Sequence, residues 1–324
     1  MSGGTLAIHS GALGDLILFG RLCERLPGDV TLVAGRAKAE LLRGLGVVAR
    51  AIDFDSLPMH EAFSDRPLDE CQLPRLLVGH GRLVSCFGSG DRKAELRLAA
   101  MCGADSAAFL PIRPEAGFGG HLLELWGDLL GIAMDDLPRF AWAVPDAWKH
   151  QAAIINQGIG IPRQDARATG ARPVVIHPGS GGVAKCWPLE RFVELAGRLK
   201  DRGQDVLWVV GPAEVERWGE GKLDALRRQW PLLENPGLES LAGLLAQCRV
   251  YVGNDSGVSH LAAAVGAPSF VLFGPSNATH FAPLGPCVKV IQSQSLTSLT
   301  VEEVETAGRA SLSRRTPPSG KESA

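Results

Sequence analysis

The stretch YVGNDSGVSHLAAAVGAPSFVLFGPSNATHFAPLG, residues 251–285, decides the fold. A short apolar run stops at the polar knot Asn254-Asp255-Ser256-Gly257. A small-residue helix carrying His260 follows, then a second apolar run, 269–273, that ends in Gly274-Pro275-Ser276. Short apolar strands that alternate with helices are the signature of α/β layering around parallel sheets. In such sheets ligands bind beyond the carboxyl ends of the strands, so the polar knots mark where to look for chemistry.

The same alternation runs outward in both directions. Residues 5–9, 30–34, 47–53 and 83–87 read as buried strands, and 16–26, 92–102 and 121–130 as helices with apolar residues at helical spacing. Between Pro138 and Pro173 the texture turns to proline, alanine and polar residues, which predicts an inter-domain region. The pattern resumes with strands at 172–177, 206–210, 250–253 and 269–273, and with a last helix at 301–312. The expected division is a first domain over 1–150, a linker over 151–172, a second domain over 173–298, the final helix within 299–312, and a disordered tail over 313–324.

The totals agree with two soluble α/β domains. At 324 residues the chain exceeds one ordinary core; 45% of it is hydrophobic and 21% charged. A formal net charge of -2, from 33 basic and 35 acidic side chains, argues against a nucleic-acid partner, which calls for a basic face. No apolar run is long enough to span a membrane, and residues 1–4 lead into a strand without a signal-peptide pattern. Seven dispersed cysteines without a C-x-x-C pair read as buried thiols of a reducing compartment, so the expected location is cytoplasmic.

Four strand ends carry candidate chemistry. In HSGALGDLILFGRL, residues 9–22, Gly11 and Gly14 allow a tight turn and Asp15 starts the helix. Asp15 reads either as a carboxylate complementing the helix dipole or as a general base aimed into a cleft. In VVIHPGSGGVAKCWPLERFVELAGRL, residues 174–199, a glycine-rich loop leads to Lys185, which suits an anion such as phosphate or is a solvated lysine. In VVGPAEVERW, residues 209–218, Glu214 sits in a first helical turn, where it complements the dipole or meets ribose hydroxyls. In the opening stretch Asp255 and Ser256 can cap the helix that begins near Gly257, leaving backbone N–H groups for phosphate oxygens, with His260 on the first turn. His260 reads equally as a structural hydrogen-bonding residue. The literal D-x-D at Asp53-Phe54-Asp55 reads as solvated acids, and His60, His80, His121 and His150 lack the spacing of a metal site.

Taken together, these segments resemble glycosyltransferase family nine, the bacterial heptosyltransferases of lipopolysaccharide core synthesis. SGALGDLIL resembles that family's G-D loop, HPGSGGVAKCWPLERFVELAGRL its P-G…K-x-W-P-x-x-x-F segment, and VVGPAEVE its G-P-x-E turn. LESLAGLLAQCRVYVGNDSGVSHLAAAVGAPSFVLFGPSNATHFAPLG is similar to its longest signature almost throughout.

The resemblance implies a GT-B architecture: two Rossmann-like domains with parallel sheets facing a central cleft. It implies inverting sugar transfer without metal or cofactor, from a nucleotide-diphosphate sugar, ADP-heptose in the usual case, to a glycolipid or glycan acceptor of lipopolysaccharide-core type. Asp15 would be the base, and Gly14, Ser180, Lys185, Glu214, Asp255, Ser256, Gly257 and His260 would form the donor side. The final helix would cross back onto the first domain, and a lipid-borne acceptor would require peripheral contact with the inner membrane. Departures are Ser256 where many members carry Thr, and Cys186 where a basic residue often stands beside the lysine, which thins the positive charge. A non-catalytic nucleotide-sugar-binding protein of the same fold is the alternative.

Overall fold

A computed structural model describes residues 3–134, 140–158 and 172–312. Strand β1 (Gly4–Ile8) leads into α1 (Leu13–Cys23), β2 (Val30–Ala34), α2 (Arg36–Gly44) and β3 (Arg50–Asp53). The short α3 (Leu73–Leu77), β4 (His80–Ser85), α4 (Arg92–Cys102), β5 (Ser106–Phe109) and α5 (Leu122–Leu130) complete the first half. After α6 (Asp146–Gly158) the second half runs β6 (Val174–His177), α7 (Leu189–Asp201), β7 (Val206–Val210), α8 (Pro212–Gln229) and β8 (Leu232–Glu234). It continues with α9 (Leu238–Gln247), β9 (Val250–Asn254), α10 (Gly257–Ala264), β10 (Ser269–Phe273), α11 (Ala278–Phe281), β11 (Val288–Gln292) and α12 (Val301–Leu312).

Both sheets are parallel throughout. The first has the order β3-β2-β1-β4-β5 and the second β11-β10-β9-β6-β7-β8. In each sheet the chain winds outward, then returns to pair a later strand beside its first: β4 on β1, and β9 on β6. These are the switch points at which the connections leave in opposite directions and open a crevice at the carboxyl ends. The loops after β1, β6 and β9, which carry most of the candidate residues, all stand at such points.

The outer face of the first sheet packs Leu6, Ile8 and Leu83 on Leu73, Leu98 and Met101, and that of the second packs Ile176, Trp208 and Leu272 on Trp187, Phe192 and Val304. The inner faces share one continuous core, in which Leu16, Phe19 and Trp126 join Tyr251, Leu261 and Leu245. Helices α1 and α10 lie in that shared core, so burying the α1 stripe Leu16, Phe19 and Leu22 fastens the halves together.

Two expectations are corrected. A boundary at 150 with a linker over 151–172 is not met where the chain is described, because α6 continues to Gly158 and packs along α9. Gly243 of α9 has no room for a Cβ beneath the Trp148 carbonyl, and the Trp148 ring lies on Gly44 of α2, so α6 bridges both halves. The rest of that expected linker, 159–171, and the tail 313–324 lie outside the described residues. Over its described side chains, 301–308, the final helix lies on the second half and not on the first. Val301 and Val304 of α12 pack with Phe192, Leu195 and Ile176, and Arg202 of α7 pairs with Glu305, so α12 covers the second sheet.

No helix among the described residues is long and apolar enough to cross a membrane. Five of the cysteines are buried, Cys186 and Cys287 are half-buried, and no disulfide joins any of the seven.

Candidate active site

The loop after β1 turns sharply back toward its strand. The Gly11 N–H donates to His9 Nδ1 at 3.0 Å, and the Lys38 ammonium of α2 donates to the Gly11 carbonyl. A Cβ on Gly11 would lie 2.4 Å from His9 Cε1 and 3.3 Å from an Asp15 oxygen, so glycine alone fits. His9 is buried, and desolvation with help from Lys38 lowers its pKa to about 4. The ring is therefore neutral; since Nδ1 accepts, its proton is on Nε2.

Asp15, in the first turn of α1, is half-buried. Burial raises its carboxyl above the ordinary range, opposed by the Ala12 backbone and by the positive charges of Arg113 and Lys185. Lys185 and Asp255 belong to the second half, so Asp15 stands within electrostatic reach of the donor-side residues.

The second half meets it helix end to helix end. Ser256 caps α10 through its hydroxyl, which accepts from the Ser259 N–H, and Gly257 is the first helical residue. A Cβ on Gly257 would stand 2.7 Å from Leu13 Cβ, and one on Gly14 would stand 3.0 Å from His260 Cδ2. The N-termini of α1 and α10 thus abut through glycines, and both positive dipole ends face the same opening. His260 is buried there and its pKa is pushed down by desolvation, which leaves a neutral ring against the Gly14 backbone.

Lys185 closes the donor side. Its ammonium lies 2.7 Å from Asp255 Oδ2, with the lysine partly exposed and the aspartate buried. The sequence allowed Asp255 to cap α10; in the structure Ser256 caps, and Asp255 holds the lysine. Buried Asn254 fixes the glycine loop from below, donating to the Pro178 carbonyl and accepting from the Trp187 N–H.

Two expected donor residues face inward. The Ser180 hydroxyl donates to the Asp255 carbonyl at 2.6 Å, and the Glu214 carboxylate is buried, accepts from the Gly211 N–H and lies 3.6 Å from His177 Nε2. Hydrogen bonds and the His177 ring keep Glu214 below the usual carboxylate range against its desolvation. Gly179 lacks the Cβ that would collide with it. Both residues brace the phosphate-type loop from behind.

The sequence reading missed two cations. Arg217 of α8 donates to the Ser180 carbonyl at 3.3 Å and reaches Cys186 Sγ at 3.9 Å, which restores positive charge where Cys186 had been read as thinning it. Its place one turn after Glu214 on the same helix was the available signal. Arg113, in the loop after β5, acts on Asp15 and carried no pattern. Among the described residues no three His, Cys, Asp or Glu side chains gather as a metal site requires, and Asp53 of the D-x-D is paired with Arg36.

This arrangement offers a carboxylate on one half, facing a lysine–aspartate pair and the Ser256-capped N-terminus of α10 on the other. Comparison with known proteins places it in a lineage. The family described as glycosyltransferase family 9 (heptosyltransferase) matches residues 137–310. Lipopolysaccharide heptosyltransferase 2 of Escherichia coli K12 is 36% identical over 128 residues, 37% of this chain and 36% of that protein. The matched stretch thus spans about a third of that curated relative's length.

The fold likeness is wider. A glycosyltransferase family 9 structure from Veillonella parvula superposes with a TM-score of 0.75 at 18% identity, covering 96% of this chain and 98% of the other. An E. coli heptosyltransferase solved with ADP superposes with a TM-score of 0.66 at 19% identity, covering 95% and 99%. The fold is thus the expected two-sheet GT-B architecture, and with more than half of its length matched, the chain belongs to glycosyltransferase family 9.

Proposed function

We propose that the protein is an inverting, metal-independent glycosyltransferase that moves a heptose from ADP-heptose to an acceptor of the lipopolysaccharide-core type. The observation that carries this reading is Asp15 on α1 facing the Lys185–Asp255 pair and the N-terminus of α10 across the joint between the halves. Family membership and the ADP-bound fold relative support the choice of donor.

The second half holds the donor. Its diphosphate lies against the first-turn N–H groups of α10 and against Lys185, with Arg217 behind the loop. Gly14 and His260 close the seam beside it. An acceptor hydroxyl supplied from the first half gives its proton to the Asp15 carboxylate as its oxygen forms a bond to the anomeric carbon. The bond from that carbon to the phosphate oxygen breaks, its electron pair leaves with ADP, and the configuration inverts. Lysine, arginine and helix dipole supply the positive charge that a leaving diphosphate requires. Positioned proton abstraction contributes on the order of 10²–10⁴-fold. The acceptor is lipid-borne, so the enzyme works in the cytoplasm, touching the inner membrane from its surface.

The test is ADP release from ADP-heptose with and without a deacylated lipopolysaccharide-core acceptor, in buffer containing EDTA. Acceptor-dependent release that survives chelation and falls at least about a hundredfold in Asp15→Asn, with ADP binding retained, is expected. Binding without acceptor-dependent release would instead identify a nucleotide-sugar-binding protein.

A further inference from the structure

Helix α1 is apolar along its length except for Asp15 and Arg21, and Arg21 is 1% exposed. A buried arginine in an apolar helix calls for a reason, because stripping its charge of water is costly unless the charge is matched. Here the match comes from three directions. Glu24 of the same chain turn lies 3.1 Å from Nη1, and Nη2 donates to the Phe140 carbonyl at 2.9 Å. The same Nη2 reaches the carbonyl of Ala264, the last residue of α10, at 3.4 Å, and the guanidinium lies 4.3 Å from the Trp142 ring centroid. Trp142 itself donates its backbone N–H to the Ala264 carbonyl at 2.7 Å. Arg21 therefore ties together α1, the segment 140–142 and the C-terminus of the donor-side helix.

The geometry gives this tie a consequence at the site. α1 and α10 lie side by side in the same direction, N-terminus against N-terminus at Gly14 and Gly257, and C-terminal turn against C-terminal turn at Arg21 and Ala264. From Asp15 to Arg21 is about 9 Å of helix rise, and from Gly257 to Ala264 about 10 Å. Each helix carries reactive machinery at one end and a piece of the clamp at the other. Parallel neighbours with adjacent dipoles repel, and a buried cation over the C-terminal carbonyls relieves that repulsion where it would splay the pair.

We infer that Arg21 is a positioning residue that sets the register of α10 against α1, and through it the placement of Asp15 relative to the donor diphosphate. The inference rests on the proposed transferase reading. It predicts a defect in the chemical step, since neither helix N-terminus loses a binding group. In Arg21→Met the acceptor-dependent kcat falls roughly 30- to 100-fold, the scale of a displacement of about an ångström, while the KM for ADP-heptose changes less than about threefold. Arg21→Lys, with one charge but no fork to span two carbonyls, recovers part of the loss.

The decisive measurement is a double-variant cycle. If Arg21 acts through Asp15, adding Arg21→Met to Asp15→Asn costs little further kcat. Equal losses in both backgrounds, or a lowered melting temperature with unchanged kcat, would overturn the inference. A second arm needs no turnover: hydrogen–deuterium exchange of the ligand-free protein should show faster exchange at 140–142 and in the last turn of α10 in Arg21→Met. Unchanged protection there overturns the clamp, whereas absence of transfer by the unaltered protein would count only against the proposed activity.

Discussion

Gly257→Ala tests the closeness of the helix ends on which the site depends. The added methyl would stand 2.7 Å from Leu13 Cβ, 3.0 Å from the Gly14 nitrogen and 3.2 Å from Leu13 Cγ. Carbon pairs settle at about 3.5–4.0 Å, so the first contact is short by about 1 Å. Neither a Cβ nor a backbone nitrogen can swing aside, hence α10 must move away from α1. Overpacking of this kind costs about 1–3 kcal/mol. The same movement carries the diphosphate end of α10 away from Asp15, and a 1 Å misplacement costs on the order of a hundredfold in rate. Steady-state ADP release should therefore show kcat down by about that factor, with ADP affinity by calorimetry within about threefold because the capping Ser256 and the first-turn N–H groups persist. Gly197→Ala on α7, where a methyl meets open space, is the control and should leave kcat unchanged. A Gly257→Ala enzyme with the unaltered kcat would refute the argument that this contact sets the catalytic geometry.

Other substitutions separate the roles within the site. Lys185→Met removes the cation from the donor side and strands buried Asp255; donor KM should rise about 10- to 100-fold and stability fall by about 1–2 kcal/mol, read by kinetics and urea unfolding. Asp15 has a raised carboxyl pKa, so the folded state binds more protons than the unfolded one between the ordinary value and the raised one. Stability therefore falls as pH rises through that window, and Asp15→Asn should melt higher than the unaltered protein at pH 7, with the difference shrinking as pH falls below the ordinary aspartate range. The acid limb of kcat/KM should likewise lie above the ordinary aspartate range. For His9 the sign is opposite: the folded value near 4 is below the ordinary 6.5, so its stabilisation is present above 6.5 and lost as pH falls toward 4. Urea midpoints measured between pH 7 and 4 should fall less steeply in His9→Gln.

What was legible in the sequence follows from where each element sits. Strands 30–34, 206–210 and 269–273 and helix 301–312 are found at the expected bounds, because central parallel strands are buried on both faces and read as unbroken apolar runs. β5, β8 and β11 went unread. All three are edge strands, and Ser106–Phe109, Leu232–Glu234 and Val288–Gln292 are only half-buried, too short and mixed to stand out. Positions of strand-end loops were legible for the same reason as the strands they end. Side-chain direction was not. Ser180 turns inward because the Asp255 carbonyl, 75 residues along the chain, offers a partner. Glu214 folds back on the Gly211 N–H of its own helix start and enters the interior only because Gly179, on another loop, leaves room. Arg21 finds its carbonyls on segments more than a hundred residues away. Local pattern locates a loop, while the partners that orient its residues come from the tertiary fold.

In the proposed reaction the nucleotide sugar lies in the joint with its reactive carbon toward Asp15. A crystal structure with an unreactive ADP-heptose analogue tests it most directly. The diphosphate should lie on the first-turn N–H groups of α10 and beside Lys185, with the anomeric carbon open to Asp15. A nucleotide seated away from α10, or a sugar turned from Asp15, would contradict it.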